Sequence, residues 1–344
     1  MAQAPAVEYR RLGKSGLRVS VPILGAMSFG TDKNSAWIIN EDKAMPLLKA
    51  AWDRGVTTWD TANVYSNGES ERIIGKFVKQ YNIPRDKILI FTKCNGLVHP
   101  DPSIRTFMHP HLRNQRDFVN QSGLSRTAIF NAVNASLERL QTPYIDLLQI
   151  HRFDPETPID ETMKALHDLV QSCKVRYIGA SSMRTYQFSE MNYVAEKNGW
   201  TKFISMQNEY SLIYREEERE MIPYCLANGI GLIPWGPLGG GSLARPFGTE
   251  TVRENSGKGT VLEKKYSDAD KTIINRVEEL AKKKGWTMGE VSLAWMENVV
   301  SSPIVGCSSP ERLEQAIITG KTLTKEEKEY LEEPYVPKKV RGHL

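Results

Sequence analysis

Short, continuously apolar runs alternate with amphipathic stretches along most of this chain. The runs at 22–25, 56–59, 87–92, 145–150, 175–179, 203–206, 230–234 and 303–305 predict strands buried on both faces. Between them, apolar positions recur at helical spacing. Segment 41–54 carries Ala44, Leu47, Leu48 and Ala51 on one face and stops before Gly55. The same spacing predicts helices over 70–80, 125–140, 157–172, 185–197, 216–227, 267–284 and 288–298, with a last one from Ser309-Pro310 to about 319. Thr157-Pro158 reads as an N-cap with proline in the first turn. Ser66 and Glu69 read as a capping box. The polar opening predicts a small hairpin over 8–12 and 17–19.

Strands that alternate with helices are parallel βαβ units. About eight units suit one closed (β/α)8 TIM barrel, a single domain over residues 1–344. A doubly wound open sheet is the competing arrangement, but the GxGxxG that marks its first turn is missing. Segments 95–124 and 235–266 read as long loops at the site face, the kind that carry function.

Composition narrows the function classes. Hydrophobic residues make up 40% and charged residues 25%, so a packed core is expected. A net charge of +4 with interspersed signs argues against a nucleic-acid or membrane partner. Cys94, Cys173, Cys225 and Cys307 are far apart and read as buried thiols of a reducing compartment. No metal site is expected, since His109 and His111 lack a third ligand. The N-terminus lacks a secretory pattern, and no apolar run is long enough to span a membrane. The C-terminal residues carry none of the usual targeting signals, so the expected location is cytoplasmic.

Candidate chemistry lies where barrels place it, at the C-terminal ends of the strands. Asp60 follows one apolar run, with Tyr65 in the loop beyond; Lys93 and His151 follow the next two. Singly, each has an ordinary reading: a helix cap, a packed phenol, a solvated ammonium, a loop imidazole. Together, on consecutive strands of one rim, they suit carbonyl reduction. Hydride added to C=O leaves negative charge on oxygen, which needs a hydrogen-bond donor and then a proton. Tyr65 would give the proton. Lys93 would supply the ammonium that favours phenolate, and Asp60 would hold Lys93. His151 would orient the carbonyl. Nothing in the set suggests a covalent intermediate, so the hydride must come from a cofactor.

In DTANVYSNGESE, FTKC and QIHRFD, these residues resemble the catalytic tetrad of the aldo-keto reductases. The resemblance runs from RRLGKSGLRVS to SSPERLEQA. It is nearest to the branch that holds potassium-channel β-subunits, aryl-alcohol dehydrogenases and fungal reductases such as versiconal hemiacetal acetate reductase. It implies a (β/α)8 barrel, NADPH as cofactor, and reduction of aldehydes or ketones to alcohols, aromatic or polyketide-derived ones among the candidates. GASSM is similar to the family's GxSN, which points to Ser181 and Ser182 at the nicotinamide carboxamide, with Ser in place of the usual Asn at 182. Gln207 matches the glutamine that meets the same group. Trp235, Gly236, Pro237 and Leu238, with Gly239 and Gly241 after them, resemble the loop over the pyrophosphate. Ser66 stands where the family commonly has glycine.

The stretch Gly306 to Arg312 offers hydroxyls and an arginine at a helix start, chemistry suited to a phosphate monoester. In the family this region meets the adenosine 2′-phosphate. Ser308 and Arg312 therefore favour NADP over NAD, with Gln315 beside the adenine. Trp37, Phe107, Met108, His109 and Leu112 are the candidate substrate wall; ordinary loop packing would explain them equally well. The expected partner is a small-molecule carbonyl compound. A nicotinamide-sensing regulatory subunit similar to the channel β-subunits is the alternative. The chain shows no long inactivation-type segment or partner-binding insertion, which favours the enzyme.

Overall fold

The computed structural model describes residues 6–260 and 263–343. Residues 1–5 and 344, on which the reading of targeting signals partly rests, lie outside the described residues, as do 261–262 of the second long loop.

β1 (Glu8–Arg11) and β2 (Arg18–Val21) form the expected antiparallel hairpin. Then follow β3 (Ile23–Gly25), α1 (Glu41–Arg54), β4 (Thr58–Asp60), α2 (Glu69–Gln80), β5 (Leu89–Cys94), α3 (Arg126–Leu140) and β6 (Ile145–Ile150). The second half runs α4 (Ile159–Gln171), β7 (Val175–Ser181), α5 (Thr185–Lys197), β8 (Ser205–Gln207), α6 (Met221–Asn228) and β9 (Gly231–Leu232). It ends with α7 (Val252–Asn255), α8 (Asp268–Lys284), α9 (Met288–Trp295), β10 (Ile304–Val305), α10 (Pro310–Glu314) and α11 (Lys325–Glu332).

The parallel strands stand in the order β10-β3-β4-β5-β6-β7-β8-β9, an eight-stranded sheet. Its two edges meet: the Ile304 N–H donates to Pro234 O at 2.9 Å, and the Ser301 N–H to Leu232 O at 2.9 Å. The sheet therefore closes, and no strand edge is left open between β9 and β10. This is the (β/α)8 barrel that the pattern predicts.

Strand alternation sorts the side chains into two cores. Trp59, Ile90, Leu148 and Met206 face outward into the layer shared with the helices. Inward, Ile23, Phe91, Leu147, Ile233 and Ile304 pack with Leu12 and Val19 of the hairpin, which forms the barrel floor. Thr58 and Ser20 bind each other's main chain across this floor, at 3.0 and 3.2 Å. One pleat higher on the same inward face come Asp60, Lys93, Gln149 and Gln207. The apolar floor thus forces the polar residues into one layer at the C-terminal end.

Several strands run past the apolar pattern. β4 includes Asp60, β5 includes Lys93 and Cys94, β7 includes Ser181, and β8 ends on Gln207. Polar side chains there still share the hydrogen-bond ladder, which hydrophobicity does not report. Segment 216–227 is a turn followed by α6, α10 is shorter than expected, and α11 was not anticipated. The N-cap of α4 is Pro158. Thr157 donates instead to Asp154 Oδ2 at 2.8 Å. Cys94, Cys225 and Cys307 are buried, but Cys173 is exposed, contrary to expectation, because it lies in the turn beyond α4.

One buried ion pair locks the wall behind the site. Glu71 on α2 accepts from Arg139 Nε of α3 at 2.6 Å and from Thr92 Oγ1 of β5 at 2.6 Å. Its side chain is fully buried. Glu71→Ala would strand the guanidinium, so stability in a urea titration should fall by about 3–5 kcal/mol. A loss below about 1 kcal/mol would contradict this account.

Candidate active site

The Lys93 ammonium lies inside the barrel at 0% exposure, so water cannot solvate it. It donates to Asp60 Oδ2 at 2.5 Å, to Thr61 O at 2.9 Å and to Tyr65 Oη at 3.3 Å. An ammonium has three donors, and all are used. Burial pulls Lys93 down, but the Asp60 carboxylate and then Tyr65 outweigh it, so its pKa stands above the ordinary 10.5. The other carboxylate oxygen of Asp60 accepts from Gln149 Nε2 at 2.9 Å and Gln207 Nε2 at 3.0 Å. Gln207 Nε2 also donates to Gln149 Oε1 at 2.7 Å. Gln149, which the sequence reading missed, is thus a member of the layer. Its position two residues beyond Leu147 on an inward face was the available signal.

His151 follows β6 and stands edge-on to Tyr65, ring centroids 5.9 Å apart. Neither ring nitrogen has a partner among the described residues. Burial, then Lys93 and Arg152, push its pKa well below 6.5, so the imidazole is neutral at neutral pH. The structure therefore brings together all four predicted residues, with a half-buried phenol between an ammonium and an uncharged ring.

The turn beyond Tyr65 differs from the expected capping box. α2 begins at Glu69 with Gly68 as its N-cap and no side-chain cap. Ser66 and Asn67 take φ of 47° and 51°, left-handed values that favour glycine. The Ser66 hydroxyl faces the first βα loop and accepts from Thr31 N–H at 3.4 Å. Asn67 is the tie that sequence did not reveal. Its Nδ2 donates to Asp101 O at 3.1 Å and Ile104 O at 2.7 Å, and its Oδ1 accepts from His99 N–H at 3.1 Å. The turn that presents Tyr65 is thereby fastened to the loop 95–124 above it.

The expected cofactor residues lie on the adjoining rim. Ser181 donates to Gln207 O at 2.8 Å, and the Ser182 hydroxyl accepts from Trp235 Nε1 at 3.1 Å. Gly239, Gly240 and Gly241 form a turn with φ of 57°, 64° and 101°, which side chains rarely adopt. Lys264 closes this turn, donating to Gly239 O at 2.6 Å and Ser242 Oγ at 3.0 Å. Burial, then Arg253, lower its pKa to about 8. Arg245 is pushed below its ordinary value by burial and by Arg312. Among the described residues no carboxylate forms an ion pair with Arg245, Lys264 or Arg312, though Glu254 lies close enough to Arg245 and Lys264 to favour their charged forms; the excess of positive charge fits a polyanion. Ser308, Arg312 and Gln315 are exposed around α10, and Ser309 caps it. Arg245 and Lys264 were not found from sequence, since charges in a long loop give no periodic signal.

The candidate substrate residues divide. The Arg253 guanidinium lies 4.5 Å over the Trp37 ring, joining the first βα loop to α7. Phe107, Met108 and His109 are exposed and Leu112 is half-buried. His109 and His111 lie near each other, and no group of three metal-ligating side chains occurs among the described residues.

Similarity to known proteins agrees with this geometry. A sequence model of the aldo/keto reductase family matches residues 23–335. The chain belongs to the aldo/keto reductase family. It is 55% identical to an aldo-keto reductase of Fusarium vanettenii, over 98% of this chain and 93% of that protein. It is 50% identical to the versiconal hemiacetal acetate reductase of Aspergillus parasiticus, over 97% of this chain and 98% of that one. A Schizosaccharomyces pombe protein named for aryl-alcohol dehydrogenase is 48% identical, over 98% of each chain. This aldo/keto reductase is an oxidoreductase of carbonyl and alcohol groups that acts on small molecules with a nicotinamide cofactor. No helix among the described residues is long and apolar enough to cross a membrane.

A depressed imidazole is neutral at every pH above its own pKa. The 15N resonances of His151 should therefore stay still between about pH 6.5 and 9. A titration midpoint at 6.5 or above would show that the ring is not held neutral.

Proposed function

We propose that the chain reduces aldehydes or ketones with NADPH, Tyr65 serving as general acid. The observation that carries this reading is the Lys93 ammonium donating to Tyr65 Oη at 3.3 Å while Asp60 and Thr61 O take its other protons. A phenol oxygen that accepts from Lys93 has its own proton free to point elsewhere, toward a bound carbonyl.

When bound, the reduced nicotinamide supplies a hydride to the carbonyl carbon. The C=O π pair moves to oxygen, and Tyr65 delivers the proton that completes the alcohol. The remaining phenolate faces Lys93, whose charge stabilises it. Neutral His151 donates an N–H to the same carbonyl oxygen and sets its angle. Asp60 keeps Lys93 charged and in place.

Ser181, Ser182 and the oxygen of Gln207 would hold the carboxamide. The Trp235–Gly241 segment with Lys264 would hold the pyrophosphate. Arg312 with Ser308, and Arg245 beside them, would take the 2′-phosphate, with Gln315 and Gly306 lining the adenosine. Trp37, Phe107, Met108, His109 and Leu112 would border the substrate. Free buried thiols fit the reducing cytoplasm.

Tyr65→Phe should lower kcat by about 10²–10⁴-fold. The dissociation constant for NADPH, read by fluorescence, should stay unchanged. Near-normal turnover in this variant would remove Tyr65 from the acid role. Arg312→Gln combined with Arg245→Gln should raise KM for NADPH and leave KM for NADH nearly as it was. An equal effect on both cofactors would rule out the 2′-phosphate as the ligand.

A further inference from the structure

Arg152 lies directly after His151, at the end of β6. Its Nη1 donates to His151 O at 2.5 Å and reaches Ser181 Oγ at 3.5 Å. Its Nε and Nη2 have no partner among the described residues. The side chain is half-buried, and burial lowers its pKa; the groups that oppose this are Tyr65 and then Glu209. Glu209 is already committed, to Arg341 Nε at 2.9 Å and Nη2 at 2.6 Å. The main chain of Arg152 is also fixed, because its carbonyl accepts from Asn95 Nδ2 at 3.0 Å.

Several other sheltered arginines of this fold are neutralised. Arg85 pairs with Asp146 at 2.6 Å, Arg139 with Glu71 at 2.6 Å, and Arg215 with Glu218 at 2.8 Å. Arg152 is left open beside Tyr65 and His151. An unpaired half-buried charge is unfavourable, and it is retained with its planar N–H edge free. That edge matches a carboxylate, which accepts two parallel hydrogen bonds. The surroundings do not compete. His151 is neutral, and His343 on the other side is held neutral, its pKa lowered to about 4 by burial and by Arg184 and Arg152.

We propose that Arg152 selects carbonyl substrates bearing a carboxylate near the reacting carbon, and binds that carboxylate through Nε and Nη2. This rests on the reductase reading above and names its substrate class. Because Arg152 lies between the Tyr65–His151 pair and Ser181, a contact with the nicotinamide carboxamide is the competing role that the experiment must separate.

The test compares 3-carboxybenzaldehyde with its methyl ester, using NADPH and the wild-type, Arg152→Gln and Arg152→Lys proteins. The wild type should prefer the acid. Arg152→Gln should lower kcat/KM for the acid by about 10–100-fold more than for the ester, mostly through KM. Arg152→Lys should recover part of the preference, since it keeps charge but loses the planar fork. Equal loss on both substrates, or a wild type that prefers the ester, would overturn the proposal. A rise in the NADPH dissociation constant with no change in the acid-to-ester ratio would assign Arg152 to the cofactor instead, and likewise overturn it. If the wild type binds no NADPH and reduces neither compound, the reductase reading fails first, and this proposal fails with it.

Discussion

The buried pair between Lys93 and Asp60 is the constraint on which the site depends. A lysine at 0% exposure must either lose its proton or meet a carboxylate and further acceptors. Asp60 supplies the charge, and Thr61 O and Tyr65 Oη supply the acceptors. Asp60 in turn would be under-bonded on its second oxygen without Gln149 and Gln207. Side chains from β4, β5, β6 and β8 are therefore mutually required. The layer forms only if the barrel closes, which couples the Ile304–Pro234 contact to the position of one phenol.

The same logic explains why the polar layer sits high. The β1–β2 hairpin fills the floor with Leu12 and Val19, which pack in one buried cluster with Phe91 and Leu147. Above the layer, charge is unbalanced. Glu209 is paired with Arg341, Glu216 with Arg219 and Asp270 with Lys338. Arg152, Arg245, Lys264 and Arg312 are not paired in this way. A rim with this excess of cations suits anionic ligands.

Sequence reading was most informative where pattern and chemistry coincide. Strand and helix alternation was sufficient for the barrel, because each element must bury one face or two. Asp60, Tyr65, Lys93 and His151 were legible because strand-end polar residues are conspicuous against apolar runs. What escaped is set by three-dimensional proximity. Gln149 looks like one polar residue inside an apolar strand, and only closure reveals that it meets Asp60. Asn67 has no periodic signature; its left-handed backbone aims its amide at a loop more than thirty residues away. The Ser66–Glu69 spacing satisfied a helix-start pattern, yet three consecutive positive φ values through Gly68 exclude that geometry. Arg245 and Lys264 each lie against the glycine turn, a proximity that spacing along the chain does not report.

Neutron diffraction of deuterated crystals reads the protons of this site directly. Lys93 Nζ should carry three deuterons, directed at Asp60 Oδ2, Thr61 O and Tyr65 Oη, with the Tyr65 deuteron pointing away from Lys93. A neutral Nζ with two deuterons, accepting the Tyr65 deuteron, would contradict it.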